Sequence, residues 1–121
     1  RHHRVPIEME VEYQKGDGFV KGQSRNISQG GIFIESSDLL DSGIETLLRF
    51  NPDPASGPVE VIGVVVWVSR EEERTRRRLL PQGMGIKFVE LKDKEKKIIG
   101  RFVQDLMDLM RVMAITEKKE T

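Results

Sequence analysis

Alternating apolar and polar positions open the chain. Between residues 5 and 13 every second residue is apolar, and Glu8, Glu10 and Glu12 lie among them. A period of two predicts a strand with one face in a core and one in water. The cluster Lys15-Gly16-Asp17-Gly18 then predicts a turn. The same reasoning predicts five further strands, over residues 19–26, 32–34, 46–50, 59–69 and 83–91, with a bulge at Gly63.

The spacing of apolar residues changes after residue 92. They now recur every three or four residues, which predicts an amphipathic helix over 93–115 with Asp93 as its N-cap. Six short strands followed by one helix predict an all-β dominated domain: a small six-stranded antiparallel β-barrel of split-barrel type, residues 5–92, closed by a C-terminal α-helix. We expect residues 1–4 to form a flexible arm and residues 116–121 a disordered tail.

Amino-acid composition excludes several classes of function. Twenty Lys and Arg balance twenty Asp and Glu, so a basic surface for DNA or RNA is not expected. The chain has no cysteine, and its two histidines, His2 and His3, lie at the N-terminus, so no metal, cofactor or catalytic site is predicted. The longest apolar run, residues 64–68, is too short to span a membrane. We expect a cytoplasmic binding protein of one domain, part of a longer chain, that is not an enzyme.

One polar turn has the composition of a ligand site. In Arg25-Asn26-Ile27-Ser28-Gln29-Gly30-Gly31-Ile32, the Asn26 amide can donate and accept, and Ser28 offers a hydroxyl. Gly30 and Gly31 permit unusual φ angles and the close approach of a ligand. The alternative is a tight connection in which Asn26 and Ser28 satisfy only their own turn.

A short basic segment precedes the first strand. Arg1-His2-His3-Arg4 carries two guanidinium groups, which can form paired hydrogen bonds to phosphate oxygens or to the O6/N7 edge of guanine. A solvated arm without a ligand is the alternative.

Together the arm and the turn resemble the PilZ domain, a bacterial receptor module for cyclic di-GMP. That family has an RxxxR arm before its first strand and a [D/N]xSxxG turn between its second and third. Asn26, Ser28 and Gly31 match the fixed positions of the turn, and Gly83-Met84-Gly85-Ile86-Lys87-Phe88 is similar to the family's glycine-led last strand. Arg4 matches the second arginine of RxxxR, whose first would stand one residue before Arg1. The resemblance spans residues 4–113.

The resemblance implies a receptor that converts cyclic di-GMP binding into a change of contact with an upstream domain or partner protein. Its implied ligand-binding residues are Arg1, Arg4, Asn26, Ser28, Gly30 and Gly31. The family also contains interaction modules that bind no nucleotide, and this is the alternative function. The identity of the residue before Arg1 would discriminate between the two.

Three other features have ordinary structural explanations. The arginine-rich segment 70–78 is predicted to be a solvated loop, with a docking patch for an acidic partner as the alternative. Trp67 is expected in the core or at the barrel rim. The apolar stripe of the helix is longer than the surface that one end of a small barrel can cover; it includes Met107, Met110 and Met113. This predicts a homodimer through the helix or contact with another domain.

Overall fold

The computed structural model describes residues 4–52, 55, 57–70 and 81–120. Seven strands precede one helix within these ranges. The strands are β1 (Val5–Pro6), β2 (Glu10–Lys15), β3 (Gly18–Ile27), β4 (Gly31–Glu35), β5 (Glu45–Phe50), β6 (Val59–Ser69) and β7 (Gly83–Glu90), and the helix α1 is Asp93–Glu120.

The strands form a closed antiparallel barrel. Hydrogen-bonded neighbours follow the order β3-β2-β5-β6-β7-β4, and pairing of β4 with β3 closes the ring. The short strand β1 adds to β3 beside the barrel. Every pairing is antiparallel, so this six-stranded barrel with a C-terminal helix confirms the predicted fold class.

The predicted first strand is divided into β1 and β2, and Ser24 of β3 causes the division. Its hydroxyl donates to the Ile7 carbonyl at 2.7 Å and accepts from the Met9 amide at 3.0 Å. These bonds replace part of the regular ladder, while Ile7 N still donates to Arg25 O at 3.2 Å. Alternation alone cannot reveal such an interruption, because Ile7 and Met9 keep the period of two.

The bulge predicted at Gly63 is confirmed. The register between β6 and β7 shifts between Ile62 and Gly63, and again between Val65 and Trp67. A Cβ on Gly63 would lie 2.5 Å from Cγ2 of Ile86, so glycine here also allows β6 and β7 to pack closely.

Helix α1 closes the barrel with its first half. Ile99 and Val103 are 1% and 2% exposed and belong to the same apolar core as the strands. Asp93, predicted to be the N-cap, is instead the first helical residue: the Lys96 amide donates to the Lys92 carbonyl, which gives Lys92 the N-cap position. The helix continues to Glu120, beyond the expected end at residue 115 and through most of the segment predicted to be disordered. No glycine or proline follows Gly100, and the Glu and Lys residues near the end have high helix propensity, so nothing local stops the helix.

Tyr13 fixes the connection between β4 and β5. Its side chain is fully buried, and its hydroxyl donates to the Asp38 carbonyl and shares a 2.6 Å hydrogen bond with the Ser36 hydroxyl. Burial raises the pKa of the Tyr13 phenol; the Ser36 bond lowers it in part, and the Asp38 charge adds to the rise. The polar connection after β4 is therefore held against the barrel wall by a buried side chain.

Candidate functional site

The N-terminal arm and the polar turn meet at the barrel surface. Strand β1 pairs with the end of β3, with Val5 opposite Ile27 and Pro6 opposite Asn26. This register places Arg4 beside β3, where its Nη1 donates to Oδ1 of Asn26 at 2.7 Å. Two side chains separated by 22 residues, each predicted to bind ligand, are therefore in direct contact.

Ser28 organises the turn between β3 and β4. The side chain is buried, and its hydroxyl accepts from the Gly30 and Gly31 amides at 3.2 Å each. The hydroxyl also lies 3.4 Å from the Gly31 carbonyl, which accepts from the Ser28 amide at 2.8 Å. The Gly30 carbonyl accepts from the Phe88 amide at 2.9 Å, which fixes the turn to β7. The hydroxyl of Ser28 is thus used inside its own turn.

Gly31 is required by crowding between strands. A Cβ on Gly31 would collide with the carbonyl oxygen of Ile86 in β7 and lie 3.4 Å from its carbonyl carbon. Among the described glycines, those with positive φ are Gly16, Gly43 and Gly57. Gly30 and Gly31 therefore do not use the freedom in φ that glycine permits, and the requirement at Gly31 comes from the close approach of β4 to β7.

A groove of about 790 Å³ extends from this turn across β7 to helix α1. It brings together Arg4, the turn itself and two residues that the sequence analysis did not select, Lys87 and Lys96. The complete lining is Arg4, Ser28, Gln29, Gly30, Gly31, Val66, Ile86, Lys87, Phe88, Leu91 and Lys96. Of the predicted residues, Asn26 borders the groove through its bond to Arg4, and Arg1 lies outside the described residues.

The charge of the groove differs from that of the remaining barrel. Between residues 4 and 90, each described Lys and Arg outside the groove is paired with a carboxylate; these are Lys15, Lys21, Arg25, Arg49 and Arg70. Within the described residues, neither Arg4 nor Lys87 forms an ion pair, and both line the groove. Lys96 adds a third cation without an acidic partner in that part of the chain, and no acidic residue is among the lining residues. Three unneutralised positive charges therefore converge on one concave surface.

An aromatic pair lies on the same outer face as Asn26. Successive strand pairings align Asn26 with Phe33, Phe33 with Gly85, and Gly85 with Trp67. The Trp67 ring covers Gly85 and stacks on Phe33, with ring centroids 5.1 Å apart and planes inclined by 16°. Trp67 is 40% exposed, so the only tryptophan of the chain lies on the barrel surface, next in sequence to Val66, which lines the groove.

The arginine-rich segment is only partly accounted for. Arg70 pairs with Asp41 at 3.1 Å, whereas residues 71–80, which carry the other predicted loop positions, lie outside the described residues. Lys87 could have been found from the alternation in β7, which directs Met84, Ile86 and Phe88 inward and Lys87 outward. Its nearness to Lys96 has no sequence signal, because it depends on where the helix returns to the barrel.

A family model for the PilZ domain matches residues 1–105, so the chain belongs to the PilZ domain family. This confirms the resemblance stated from the arm and the turn. Comparison with curated protein sequences gives no match.

Solved structures show the same fold at low sequence identity. The PilZ domain of YcgR from Escherichia coli with c-di-GMP is 13% identical, with a TM-score of 0.69 over 94% of this chain and 95% of that one. The inhibitor of motility MotI/DgrA from Bacillus subtilis is 18% identical, with a TM-score of 0.72 over 89% of this chain. The PilZ domain of CeSA from a cellulose-synthesizing bacterium is 16% identical, with a TM-score of 0.62 over 87% of this chain and 98% of that one. The chain covers 51% of MotI/DgrA, about half its length.

No described helix is long and apolar enough to cross a membrane. Over the described ranges, no group of three or more His, Asp or Glu side chains is arranged to hold a metal ion.

Proposed function

We propose that this PilZ domain is a receptor for cyclic di-GMP, and that the groove between the β3–β4 turn and helix α1 binds the nucleotide. The observation that carries the proposal is the convergence of Arg4, Lys87 and Lys96 on one groove whose lining contains no acidic residue, whereas each other described Lys and Arg between residues 4 and 90 is paired with a carboxylate. A dianionic ligand would supply the missing negative charge.

Arg4 and Asn26 have complementary tasks in this proposal. The Arg4 guanidinium has five N–H donors, and its bond to Asn26 uses part of one end, so the rest can contact a phosphate or the Hoogsteen edge of guanine. Asn26 accepts from Arg4 through Oδ1, which leaves its NH₂ group to donate to guanine O6 or N7. The same bond holds both side chains in place before ligand arrives.

Ser28 and Gly31 support the site indirectly. The Ser28 hydroxyl holds the amides of Gly30 and Gly31, and Gly31 lets β4 lie against β7, which carries Lys87. We therefore propose that Ser28 and Gly31 maintain the shape of the turn. Direct ligand contact is proposed for Arg4 and Asn26 and, by the family motif, for Arg1. Cyclic di-GMP is bound and released without change of covalent bonds, so the proposed activity is not enzymatic.

Direct titration tests the proposal. We expect cyclic di-GMP to bind in isothermal titration calorimetry and to change the fluorescence of Trp67, which is exposed on the barrel surface and follows the groove residue Val66. Cyclic di-AMP carries the same phosphates but a different base edge, so we expect it to bind more weakly. Equal binding of both would contradict guanine recognition by Arg4 and Asn26.

The second candidate function is an interaction module that binds no nucleotide. Two observations favour it: the Ser28 hydroxyl is already used inside its turn, and helix α1 exposes apolar residues to solvent. Absence of heat and of a fluorescence change with cyclic di-GMP, in a chain that includes the residue before Arg1, would select this function.

We propose that protein contact occurs at the exposed apolar residues 109–113 of helix α1. Leu109, Met110, Val112 and Met113 are 45–58% exposed, and their side chains lie past the part of the helix that packs on the core. Because these four residues lie close together on the helix, a two-fold axis could bring them against the same residues of a second copy.

We expect wild-type protein to associate as its concentration rises in sedimentation equilibrium, and the Leu109→Lys, Met113→Lys variant to stay monomeric. A wild-type monomer at the highest concentration would exclude the homodimer and leave an upstream domain or partner protein as the proposed contact.

The cytoplasmic location predicted from the sequence stays a prediction. The receptor would act there by changing contacts with an upstream domain or partner protein when nucleotide binds.

A further inference from the structure

One of the three groove cations comes from the helix. Lys96 lies in the first turns of α1, and its amide donates to the Lys92 carbonyl at 2.9 Å. Its side chain is exposed and lines the same groove as Arg4 and the β3–β4 turn. An anion bound by Arg4 and Lys96 together would therefore connect the N-terminal arm to the start of the helix.

The turn also lies close to the helix. The Gln29 side chain packs over Gly100, with its Nε2 3.7 Å from the position that a Cβ on Gly100 would take. Gln29 itself lines the groove. A ligand bound at the turn would therefore be linked to the helix at two positions: at Lys96, through its charge, and one turn later at Gly100, through Gln29.

Helix α1 is well placed to transmit such an effect. Its first half contributes Ile99 and Val103 to the core, whereas Leu109, Val112 and Met113 farther along are exposed. A change at the first turns is therefore carried along a rigid element to residues that offer an apolar surface.

We propose that Lys96 is a phosphate contact for the bound dinucleotide and that, through it, occupancy of the groove holds the first turns of helix α1 against the barrel and so regulates the position of the exposed apolar residues 109–113. This inference rests on the proposed function, because it requires a dianion in the groove. It assigns the regulatory output to the C-terminal helix as well as to the N-terminal arm.

The test compares Lys96→Gln with Lys94→Gln. Both lysines are exposed, both lie in the first turns of α1, and only Lys96 lines the groove. We expect Lys96→Gln to weaken cyclic di-GMP binding about tenfold and to reduce its dependence on salt, because one charge-assisted contact is lost. Lys94→Gln should bind as the wild type does.

Hydrogen exchange supplies a readout that simple charge loss does not give. In the wild type we expect ligand to slow exchange of the amides of residues 93–103, and in Lys96→Gln saturated with ligand we expect this protection to vanish while that of β3 and β4 remains. Equal affinities of the two variants, or equal losses in both, would overturn the inference. Absence of nucleotide binding by the wild type would instead overturn the proposed function.

Discussion

Replacing Arg4 with alanine is expected to weaken cyclic di-GMP binding by about 10- to 150-fold, the range given by loss of a charge-assisted hydrogen bond worth about 1.5–3 kcal/mol. Arg4 lines the groove, lacks an acidic partner among the described residues and holds Asn26 at 2.7 Å. Its removal takes away a guanidinium and frees the Asn26 amide to rotate. Isothermal titration calorimetry measures the change in affinity.

Lys21→Ala is the matched control for Arg4→Ala. Lys21 is an exposed barrel cation that pairs with Glu10 at 3.8 Å and does not line the groove, so its loss should leave affinity unchanged. Asn26→Ala and the double variant complete a cycle. Because Arg4 and Asn26 are bonded to each other, we expect the double variant to lose less than the sum of the single losses. If Arg4→Ala binds cyclic di-GMP with wild-type affinity, the groove is not the nucleotide-binding site.

Gly31→Ala is expected to destabilise the folded protein by about 3 kcal/mol and to lower the Tm by on the order of 10 °C. The added Cβ would collide with the backbone carbonyl of Ile86, which cannot turn away as a flexible side chain could. Relief requires β4 to move from β7 along their whole pairing, from Gly31 opposite Lys87 to Glu35 opposite Gly83. Thermal unfolding followed by circular dichroism measures the loss.

Gly18→Ala provides the control for that substitution. Gly18 also begins a strand and also lacks a positive φ, but a Cβ there would meet nothing within 4 Å. Its Tm should stay close to that of the wild type, since only the small difference in strand propensity remains. Similar Tm values for Gly31→Ala and Gly18→Ala would show that the crowding at Ile86 is readily relieved.

Sequence patterns predict the limits of strands and helices best where one kind of residue repeats along a single element. The valine-rich run of β6 predicts its limits, residues 59–69, and the change of period after residue 92 predicts the start of α1 at Asp93. They failed where a side chain from another strand intervenes: the Ser24 hydroxyl divides the first strand, although Ile7 and Met9 keep its alternation.

The candidate site shows the same division. The motif of Asn26, Ser28 and Gly31 can be found from the sequence because the three residues lie within six positions. The structural role of each residue cannot be found in this way. The sequence shows that Gly31 permits an unusual φ, but the structure uses it for a different purpose, the close approach of β4 to the Ile86 carbonyl. That requirement arises from a strand more than fifty residues away in the chain, so no local reading could supply it.

The sequence by itself determined the barrel, the terminal helix, the family motif and the absence of thiols and of histidines outside the N-terminus, because periodicity, turn residues and composition are local properties. Only the tertiary structure decided that Arg4 bonds to Asn26, that Ser28 is used within its turn, and that Lys87 and Lys96 join Arg4 around one groove. Ladder register and the return of the helix to the barrel bring these residues together. Contacts of this kind depend on the closure of the whole sheet, which the order of residues along one strand does not encode.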